Sequence, residues 1–312
     1  MAKIRLALIA GGKSDEREVS LKGAKGVEEA LDKDKYEVIR YDPATDLAAI
    51  ARNADRIDVA FVLLHGIFGE DGTIQGFLDL LSIPYQGAGV LGSALAMNKH
   101  LAKELYRLHG LPVADWVMAV KGDITAPERI LSSLQMPLVV KPVKQGSSIG
   151  MTIVRDEQQL APALRLAFQH DDDVMVEEFI QGREITVGVL GNSNPQALPL
   201  IEIIPDSKYE FFDYEAKYIP GASQEICPAD VDADIAAKAG AYAVAAHNCL
   251  QLRGYSRTDM ILQGSELYLL ETNTIPGMTP TSLFPQAAAE AGLSFSQLLD
   301  RLIELAMEGG NK

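Results

Sequence analysis

One stretch near the C-terminus is the most informative part of this chain: Leu269-Leu270-Glu271-Thr272-Asn273-Thr274-Ile275-Pro276-Gly277-Met278-Thr279-Pro280-Thr281-Ser282. It follows Arg257-Thr258-Asp259 at about the distance of a β-hairpin. An apolar strand that ends in Glu-x-Asn, beside a strand that carries an Asp, offers the carboxylate and amide oxygens that Mg²⁺ prefers. The Gly/Pro/Thr-rich loop after it indicates a metal-bound phosphate beside a second substrate. The alternative is a polar strand end followed by an ordinary turn.

The composition bounds the size of the protein and the class of its partners. With 312 residues, the chain is longer than one average domain, and its 47% of apolar residues suffices for several cores. A net charge of −15 argues against nucleic acid as a partner, because that needs clustered Lys and Arg. A nucleotide remains compatible, since a few local lysines and a metal ion can hold it.

Cysteine usage and hydropathy indicate a cytoplasmic protein that does not bind a membrane. Cys227 and Cys249 form no CxxC and no zinc pattern, which favours a reduced protein, although one disulfide stays open. The first apolar strand stops at Gly11-Gly12, too early for a signal peptide. No apolar run reaches the roughly 18 residues of a membrane span.

The first ninety or so residues alternate between apolar strands and helices, which predicts an open parallel α/β domain. Strands are predicted at 4–10, 36–41 and 59–64, and helices at 20–31 and 74–81.

The rest of the chain predicts mixed α+β structure with antiparallel strands. Pro162 indicates that a helix over 156–168 starts late or bends. Residues 207–228 have no clear period, which favours a functional loop. The other predicted elements are helices at 93–109, 126–134, 233–250 and 295–307, strands at 116–120, 138–142, 151–154, 174–178, 184–190 and 198–204, and a hairpin of strands 255–262 and 266–271.

A glycine-rich segment lies between two of these strands: Gln145-Gly146-Ser147-Ser148-Ile149-Gly150. It matches neither a Walker loop nor a dinucleotide fingerprint. Glycines nevertheless let backbone N–H groups approach phosphates closely, and Lys141 at the end of the preceding strand can serve as a point charge. The alternative is a plain hairpin turn.

Acidic residues stand at two other strand ends. Glu177-Glu178-Phe179-Ile180, followed by Glu184, is compatible with an adenine slot and a carboxylate for ribose, or with a solvated acidic linker. Glu16-Arg17-Glu18-Val19-Ser20 opens a helix, where Ser20 could cap or a carboxylate could take up a substrate ammonium. His65 follows the third strand between glycines, where α/β proteins bind ligands, although a lone His is more often structural.

Together these motifs resemble an ATP-grasp ligase, and the resemblance narrows to the D-alanine–D-alanine ligases. It covers about residues 4–307. The segments that narrow it are Glu16–Ser20, His65-Gly66 with Gly69-Glu70-Asp71-Gly72, Asp213-Tyr214-Glu215-Ala216-Lys217-Tyr218, and Asn273–Thr279.

The resemblance implies an ATP-grasp fold, in which an N-terminal α/β domain (1–95) precedes two α+β domains (96–182 and 183–312) that clasp ATP. It implies phosphorylation of one D-alanine by ATP, attack by the amine of a second, and release of phosphate, in the supply of peptidoglycan precursors. It also implies two Mg²⁺ ions, replaceable by Mn²⁺, and a cytoplasmic homodimer.

The resemblance also implies a role for each matched residue. Lys99, Lys141, Ser148 and Lys217 would bind the nucleotide phosphates. Glu177, Glu178, Phe179, Ile180 and Glu184 would hold adenine and ribose. Asp259, Glu271 and Asn273 would bind the metal ions. Arg257 and Gly277 would stabilise the transferred phosphoryl group and the oxyanion. Glu16 and His65 would serve the first D-alanine and Ser282 the second, while Ser147 and Tyr218 would lie on closing loops.

Three alternatives remain at this point. A relative of the D-Ala-D-Ser or D-Ala-D-Lac type would differ in the loop around Tyr218, whose Tyr favours D-alanine. Another ATP-grasp ligase would share Lys141 and the metal ligands but not Glu16, Tyr218 and Ser282. A binding-only module has less need of the metal ligands. The departures from the family pattern are Asn98, Lys13, Thr258 and Thr272.

Overall fold

The computed structural model describes residues 2–206, 208 and 223–308. The predicted functional loop over 207–228 is therefore described only at Lys208 and over 223–228, where Ser223–Ile226 forms a strand.

The first sheet is parallel, as predicted. Its strands are β1 (Ile4–Ile9), β2 (Tyr36–Tyr41) and β3 (Val59–Val62), in the order β2-β1-β3. Its helical elements are α1 (Arg17–Ala30), α2 (Leu47–Arg52), a 3₁₀ turn (Ala54–Arg56) and α3 (Thr73–Leu80).

Helix α1 begins three residues before the predicted start, so the suggested capping role of Ser20 is wrong. Glu16 occupies the N-cap position without a side-chain capping bond. Ser20 is buried in the helix, and its hydroxyl accepts a 2.8 Å hydrogen bond from the Gly11 N–H at the end of β1. The Ser20 side chain therefore connects α1 to the segment that follows β1, while Glu16 lies just before the first turn of the helix.

The single helix predicted over 93–109 is also wrong, because the chain breaks at Asn98. Two helices result, α4 (Val90–Met97) and α5 (Lys99–Leu108). Asn98 has extended backbone angles, and its side chain accepts a 3.1 Å hydrogen bond from the Leu101 N–H. This is the geometry of an N-cap, and it makes Lys99 the first residue of α5.

The second sheet is antiparallel, in the order β4-β7-β5-β6. Its elements are β4 (Trp116–Val120), α6 (Ala126–Ser133), β5 (Leu138–Pro142), β6 (Thr152–Val154), α7 (Glu157–Ala167) and β7 (Asp173–Glu178). The late start suggested by Pro162 is wrong, since Asp156 caps α7 through the N–H groups of Gln158 and Gln159.

The third sheet is antiparallel and carries the hairpin predicted from the sequence. Its elements are β8 (Arg183–Leu190), β9 (Gln196–Ala197), β10 (Ile201–Pro205), β11 (Ser223–Ile226), α8 (Ala233–Cys249), β12 (Tyr255–Gln263) and β13 (Glu266–Asn273). The order is β11-β10-β8-β12-β13, with β9 beside β8. Only Gly264 and Ser265 connect β12 to β13, which fixes the register of this pair.

The last two helices, α9 (Leu283–Glu290) and α10 (Phe295–Glu308), return to the first sheet. Leu298 and Leu302 of α10 share one apolar core with Leu6 and Phe61 of that sheet. The C-terminal segment thereby holds the first sheet beside the third. Within the described residues, every helix is too short or too polar to cross a bilayer.

Candidate active site

The β12–β13 hairpin places four polar side chains on one face of the third sheet. Asp259 lies opposite Glu271, and Arg257 lies opposite Asn273. Directly opposed residues share a face, and so do residues two apart along a strand. The four side chains predicted to act on phosphates therefore meet on the side of the sheet that faces a cleft.

Asp259 is the best-anchored member of this group. Arg257 donates to both of its carboxylate oxygens over 2.9 Å. Thr186 on β8 donates a short 2.5 Å hydrogen bond, and the Asn273 amide donates one of 3.0 Å. Thr186 was missed by sequence reasoning because it belongs to a strand some seventy residues away and joins the site through sheet pairing.

The donor set fits a hard divalent cation. Asp259 and Glu271 supply carboxylates and Asn273 an amide oxygen, which are ligand types that Mg²⁺ and Mn²⁺ accept. The described residues contain no group of three or more His, Cys, Asp or Glu that could hold a metal, and the Asn273 amide adds an oxygen to the two carboxylates. The ammonium of Lys99 lies 3.0 Å from Glu271 and balances its charge.

Lys99 connects the hairpin to the glycine-rich loop. Besides facing Glu271, its ammonium donates a 2.6 Å hydrogen bond to the carbonyl of Gln145. The loop itself contains positive φ angles at Ser147 (50°), Ser148 (58°) and Gly150 (72°). This conformation differs from that of a plain hairpin turn, and it places Ser148 in the lining of the cleft and Ser147 against Glu16.

Lys141 and Glu177 form an ion pair in the floor of the same cleft. A second lysine, Lys103 on α5, lies 2.6 Å from the other carboxylate oxygen of Glu177. Burial alone would raise the pKa of Glu177, but the two ammonium groups outweigh it and lower the pKa to about 2. Sequence reasoning missed Lys103, although it lies one helical turn after Lys99.

The cleft continues between the second and third sheets and accounts for most of the residues assigned to the nucleotide. Its walls are apolar near Ile149 and Ile153, and polar at the ends of β7 and β8. The predicted residues that line it are Lys99, Lys141, Ser148, Glu177, Glu178, Phe179, Ile180, Glu184, Asp259 and Glu271.

Glu16 and Ser147 meet although they lie 131 residues apart. The Ser147 hydroxyl donates a hydrogen bond to the Glu16 carboxylate, which is 7% exposed. A side chain at Gly66 would come within 3.1 Å of the same carboxylate, and one at Gly146 within 3.4 Å. Because Gly66 and Gly146 have no side chains, the Glu16 carboxylate fits between the first sheet and the glycine-rich loop.

His65 and Glu70 lie beside Glu16 at the end of β3. Burial lowers the pKa of His65, opposed by Glu16, so the imidazole is neutral near pH 7. Burial also raises the pKa of Glu70 to about 8, with a contribution from Glu16. The Glu70 carboxyl accepts hydrogen bonds from the N–H groups of Gly66 (2.8 Å) and Ile275 (3.3 Å). It therefore ties the His65 loop to the loop that follows Asn273.

Gly277 and Ser282 approach each other in that loop. A side chain at Gly277 would come within 3.1 Å of the Ser282 hydroxyl, which bonds to Thr279. Ser282 is the N-cap residue of α9, and helix N-termini attract anions. The position suits a substrate carboxylate. Lys217 and Tyr218, the two remaining site predictions, lie outside the described residues.

Comparison with known proteins agrees with this geometry. The family model described as D-ala D-ala ligase C-terminus matches residues 105–304, and that described as D-ala D-ala ligase N-terminus matches residues 42–88. The D-alanine–D-alanine ligase of Syntrophobacter fumaroxidans is 59% identical over 98% of either chain. The chain belongs to the D-alanine–D-alanine ligase family.

Two solved structures of the D-alanine–D-alanine ligase family illustrate the similarity. The D-alanine–D-alanine ligase from Bacillus anthracis, complexed with ATP, has a TM-score of 0.86, 34% identity and 98% coverage of both chains. The VanG D-Ala:D-Ser ligase from Enterococcus faecalis also has a TM-score of 0.86 and 34% identity, over 98% of this chain and all of that chain. These likenesses confirm the predicted ATP-grasp fold.

Proposed function

We propose that this chain joins two molecules of D-alanine into D-alanyl-D-alanine, using one ATP and releasing ADP and phosphate, for peptidoglycan precursor synthesis. The observation that carries the proposal is the convergence of three groups on one cleft: the lysines, the oxygen ligands of the β12–β13 hairpin, and the Glu16–Ser147 pair. The full-length identity to enzymes named for this reaction supports it.

ATP lies in the cleft between the second and third sheets in this proposal. Lys99, Lys141 and Ser148 bind its phosphates, since lysines act as point charges on phosphate and loop serines donate hydrogen bonds. Glu177 and the backbone from Glu178 to Ile180 hold the adenine, and Glu184 holds the ribose hydroxyls. The relative from Bacillus anthracis whose structure contains ATP supports the choice of ATP as the nucleotide.

Asp259, Glu271 and Asn273 would hold two Mg²⁺ ions, which Mn²⁺ can replace. When bound, these ions neutralise phosphate charge and favour nucleophilic attack on the γ-phosphorus. Arg257 keeps the Asp259 carboxylate oriented through its two hydrogen bonds. Lys99 balances Glu271 and reaches the glycine-rich loop at the same time.

The first D-alanine binds next to Glu16 and His65. The Glu16 carboxylate accepts hydrogen bonds from the substrate ammonium, and the neutral His65 contributes a polar contact. A carboxylate oxygen of this D-alanine attacks the γ-phosphorus, the bond to the bridging oxygen of ADP breaks, and an acyl phosphate forms. Phosphorylation is required because a free carboxylate is a poor electrophile.

The second D-alanine binds with its carboxylate at Ser282 and the N-terminus of α9. Its neutral amine attacks the acyl carbon, the carbon–oxygen bond to phosphate breaks, the departing phosphate takes up one amine proton, and the peptide bond forms. Arg257 and the Gly277 N–H stabilise the oxyanion that develops on the acyl oxygen. No covalent bond to the protein is needed.

The site must also exclude water, because an acyl phosphate hydrolyses readily. The hydrogen bond from Ser147 to Glu16 holds the glycine-rich loop over the first substrate. Tyr218 and Lys217 would complete the enclosure from the second loop, with Lys217 on the phosphates.

A second candidate is the synthesis of D-alanyl-D-serine, with the D-lactate ester as its variant. The similarity to the Enterococcus faecalis D-Ala:D-Ser ligase favours keeping it. Tyr218 favours the dipeptide of D-alanine. The same assay separates the candidates, because their products differ in mass.

The test is phosphate release from ATP with single amino acids and pairs, with the product identified by mass spectrometry. D-Alanine alone is expected to give phosphate and dipeptide in equal amounts, and L-alanine to give neither. A protein that is inert with D-alanine, or that needs D-serine or D-lactate, contradicts the main proposal.

The division into domains 1–95, 96–182 and 183–312 and the assembly are part of the same proposal. We expect a cytoplasmic homodimer, where ATP is available and where the two cysteines, both free and both in the described part of the chain, stay reduced. Sedimentation velocity distinguishes dimer from monomer.

A further inference from the structure

Lys103 is a fully buried lysine that the reaction described above does not use. Its relative exposure is 0%, and its ammonium lies 2.6 Å from Glu177 Oε2 and 3.4 Å from the Leu269 carbonyl. Burying an ammonium is costly unless it is paired. If this position served packing alone, an apolar side chain would fill it at a lower free-energy cost than a lysine.

Glu177 divides its two oxygens between two lysines. Lys141 Nζ contacts Oε1, and Lys103 Nζ faces Oε2. Although the second contact is close, its alignment is that of an ion pair, and Oε2 accepts no hydrogen bond from the described residues. Oε2 is therefore the enclosed oxygen that Lys103 holds in place, and Oε1 is the oxygen that lies next to Lys141 in the lining of the cleft.

The two lysines are not equivalent once a nucleotide is present. Lys141 stands at the end of β5 beside the glycine-rich loop, where phosphates would draw its charge away from Glu177. Lys103 is enclosed, so its charge stays on Glu177. Without Lys103, Lys141 would be the one remaining cation beside Glu177, and Lys141 would also interact with the phosphates. Because Glu177 is only 3% exposed, burial would then favour the protonated form of its carboxyl group.

We propose that Lys103 is a positioning residue that keeps Glu177 ionised and fixed as a hydrogen-bond acceptor, and that it thereby sets the preference for adenine over guanine nucleotides. The proposal rests on the assignment of ATP to this cleft. It adds a residue behind the base-binding site that determines specificity without touching the nucleotide.

The chemistry of the two bases explains the expected selectivity. Adenine carries an amine at C6, which donates a hydrogen bond to a carboxylate. Guanine carries a carbonyl oxygen at C6, and an ionised carboxylate repels this oxygen because both groups are hydrogen-bond acceptors. A protonated carboxyl both donates and accepts, so it tolerates either base. Removing the cation that keeps Glu177 ionised should weaken adenine binding and relax the discrimination together.

The test is calorimetric titration of the full-length protein with ADP and with GDP in the presence of Mg²⁺, with D-alanine absent. Lys103→Met, which keeps the stem and removes the charge, is expected to weaken ADP binding about tenfold or more. The ratio of GDP to ADP dissociation constants should fall by a similar factor. Lys25→Met is the control, since the Lys25 side chain is 73% exposed on α1.

Circular dichroism and thermal melts check the fold of each variant. If Lys103→Met does not fold, Lys103→Gln keeps a hydrogen-bond donor without the charge and should show the same loss of base preference. A folded variant that has lost stability but keeps the wild-type ratio of dissociation constants would overturn the proposal. The titration does not depend on catalysis, so a failure of the ligase reaction is detected separately, in the phosphate-release assay.

Discussion

Asp259 and Glu271 face each other across β12 and β13, in a register that sets both carboxylates on the cleft side of the third sheet. A cation accompanies each of them: Arg257 binds Asp259, and Lys99 faces Glu271. Two carboxylates on one narrow face repel each other unless cations compensate them. The hairpin therefore presents a charge-balanced set of oxygen ligands.

Glu271→Gln tests the metal assignment. We expect the turnover number to fall at least about a hundredfold, since a charged metal ligand is lost while the shape is kept. The melting temperature should change little, because Glu271 is only partly buried and its cation partner is partly solvated. Coupled-enzyme measurement of phosphate release, with Glu266→Gln at the exposed start of β13 as control, checks the prediction. Near-normal phosphate release in Glu271→Gln would refute the metal assignment.

Substitutions of the two adjacent serines in the glycine-rich loop should change KM for different substrates. Ser147→Ala removes the hydrogen bond to Glu16 and is expected to raise KM for D-alanine about tenfold or more, with little change for ATP. Ser148→Ala, a matched change in the nucleotide cleft, should act mainly on KM for ATP. Steady-state kinetics with each substrate varied in turn measures both. The assignment fails if the two variants show the same pattern.

Thr258 and Thr272, both departures from the family pattern, join Tyr106 in a buried hydroxyl chain on the opposite face of the hairpin. Tyr106 donates to Thr272 over 2.7 Å, and the two threonine hydroxyls lie 2.9 Å apart. Thr272→Val leaves two buried hydroxyls without their partner and should cost about 1–3 kcal/mol of unfolding free energy. Urea denaturation measures the effect.

The variant Tyr106→Phe/Thr258→Val/Thr272→Val is the control for this chain of hydroxyls. It removes all three hydroxyl groups while keeping the side-chain shapes, and we expect it to be more stable than Thr272→Val alone. If the three substitutions destabilise additively, the hydroxyls do not act as a connected chain.

Glu70 should make the stability of the ligand-free protein depend on pH. Its pKa in the folded protein is raised to about 8, above the ordinary value of 4.5, so the unfolded chain ionises first as the pH rises. The contribution of Glu70 to stability is therefore full below about pH 4.5 and declines towards pH 8. Glu70→Gln should remove this decline, and urea denaturation between pH 5 and 8 compares the two proteins. Parallel pH profiles for wild type and variant would contradict the raised pKa.

Local patterns predicted much of this architecture. The β12–β13 hairpin was found because apolar strands flank a Gly-Ser turn, and the parallel sheet because short apolar runs alternate with helices. The break at Asn98 was missed because apolar residues continue on both sides of it. The N-terminus of α1 was misplaced because Ser20 resembles a cap, whereas tertiary contact with Gly11 determines its position.

The members of the candidate site could be named from the sequence where they form continuous motifs, but not where packing brings in single residues from distant segments. Glu271 and Asn273 stand in one motif that also supplies Gly277. Lys103 and Thr186 belong to ordinary helical and strand patterns, and only the fold brings them to Glu177 and Asp259. Such supporting residues carry no local signal of their own.

The proposed reaction passes through an acyl phosphate, and transfer of an oxygen isotope from D-alanine to phosphate detects that intermediate. D-Alanine labelled with oxygen-18 in its carboxylate is incubated with ATP, Mg²⁺ and the protein, and the phosphate and dipeptide are analysed by mass spectrometry. We expect one labelled oxygen to appear in the released phosphate for each dipeptide formed, because the attacking carboxylate oxygen leaves with the phosphorus. Dipeptide formation with unlabelled phosphate would exclude the acyl phosphate.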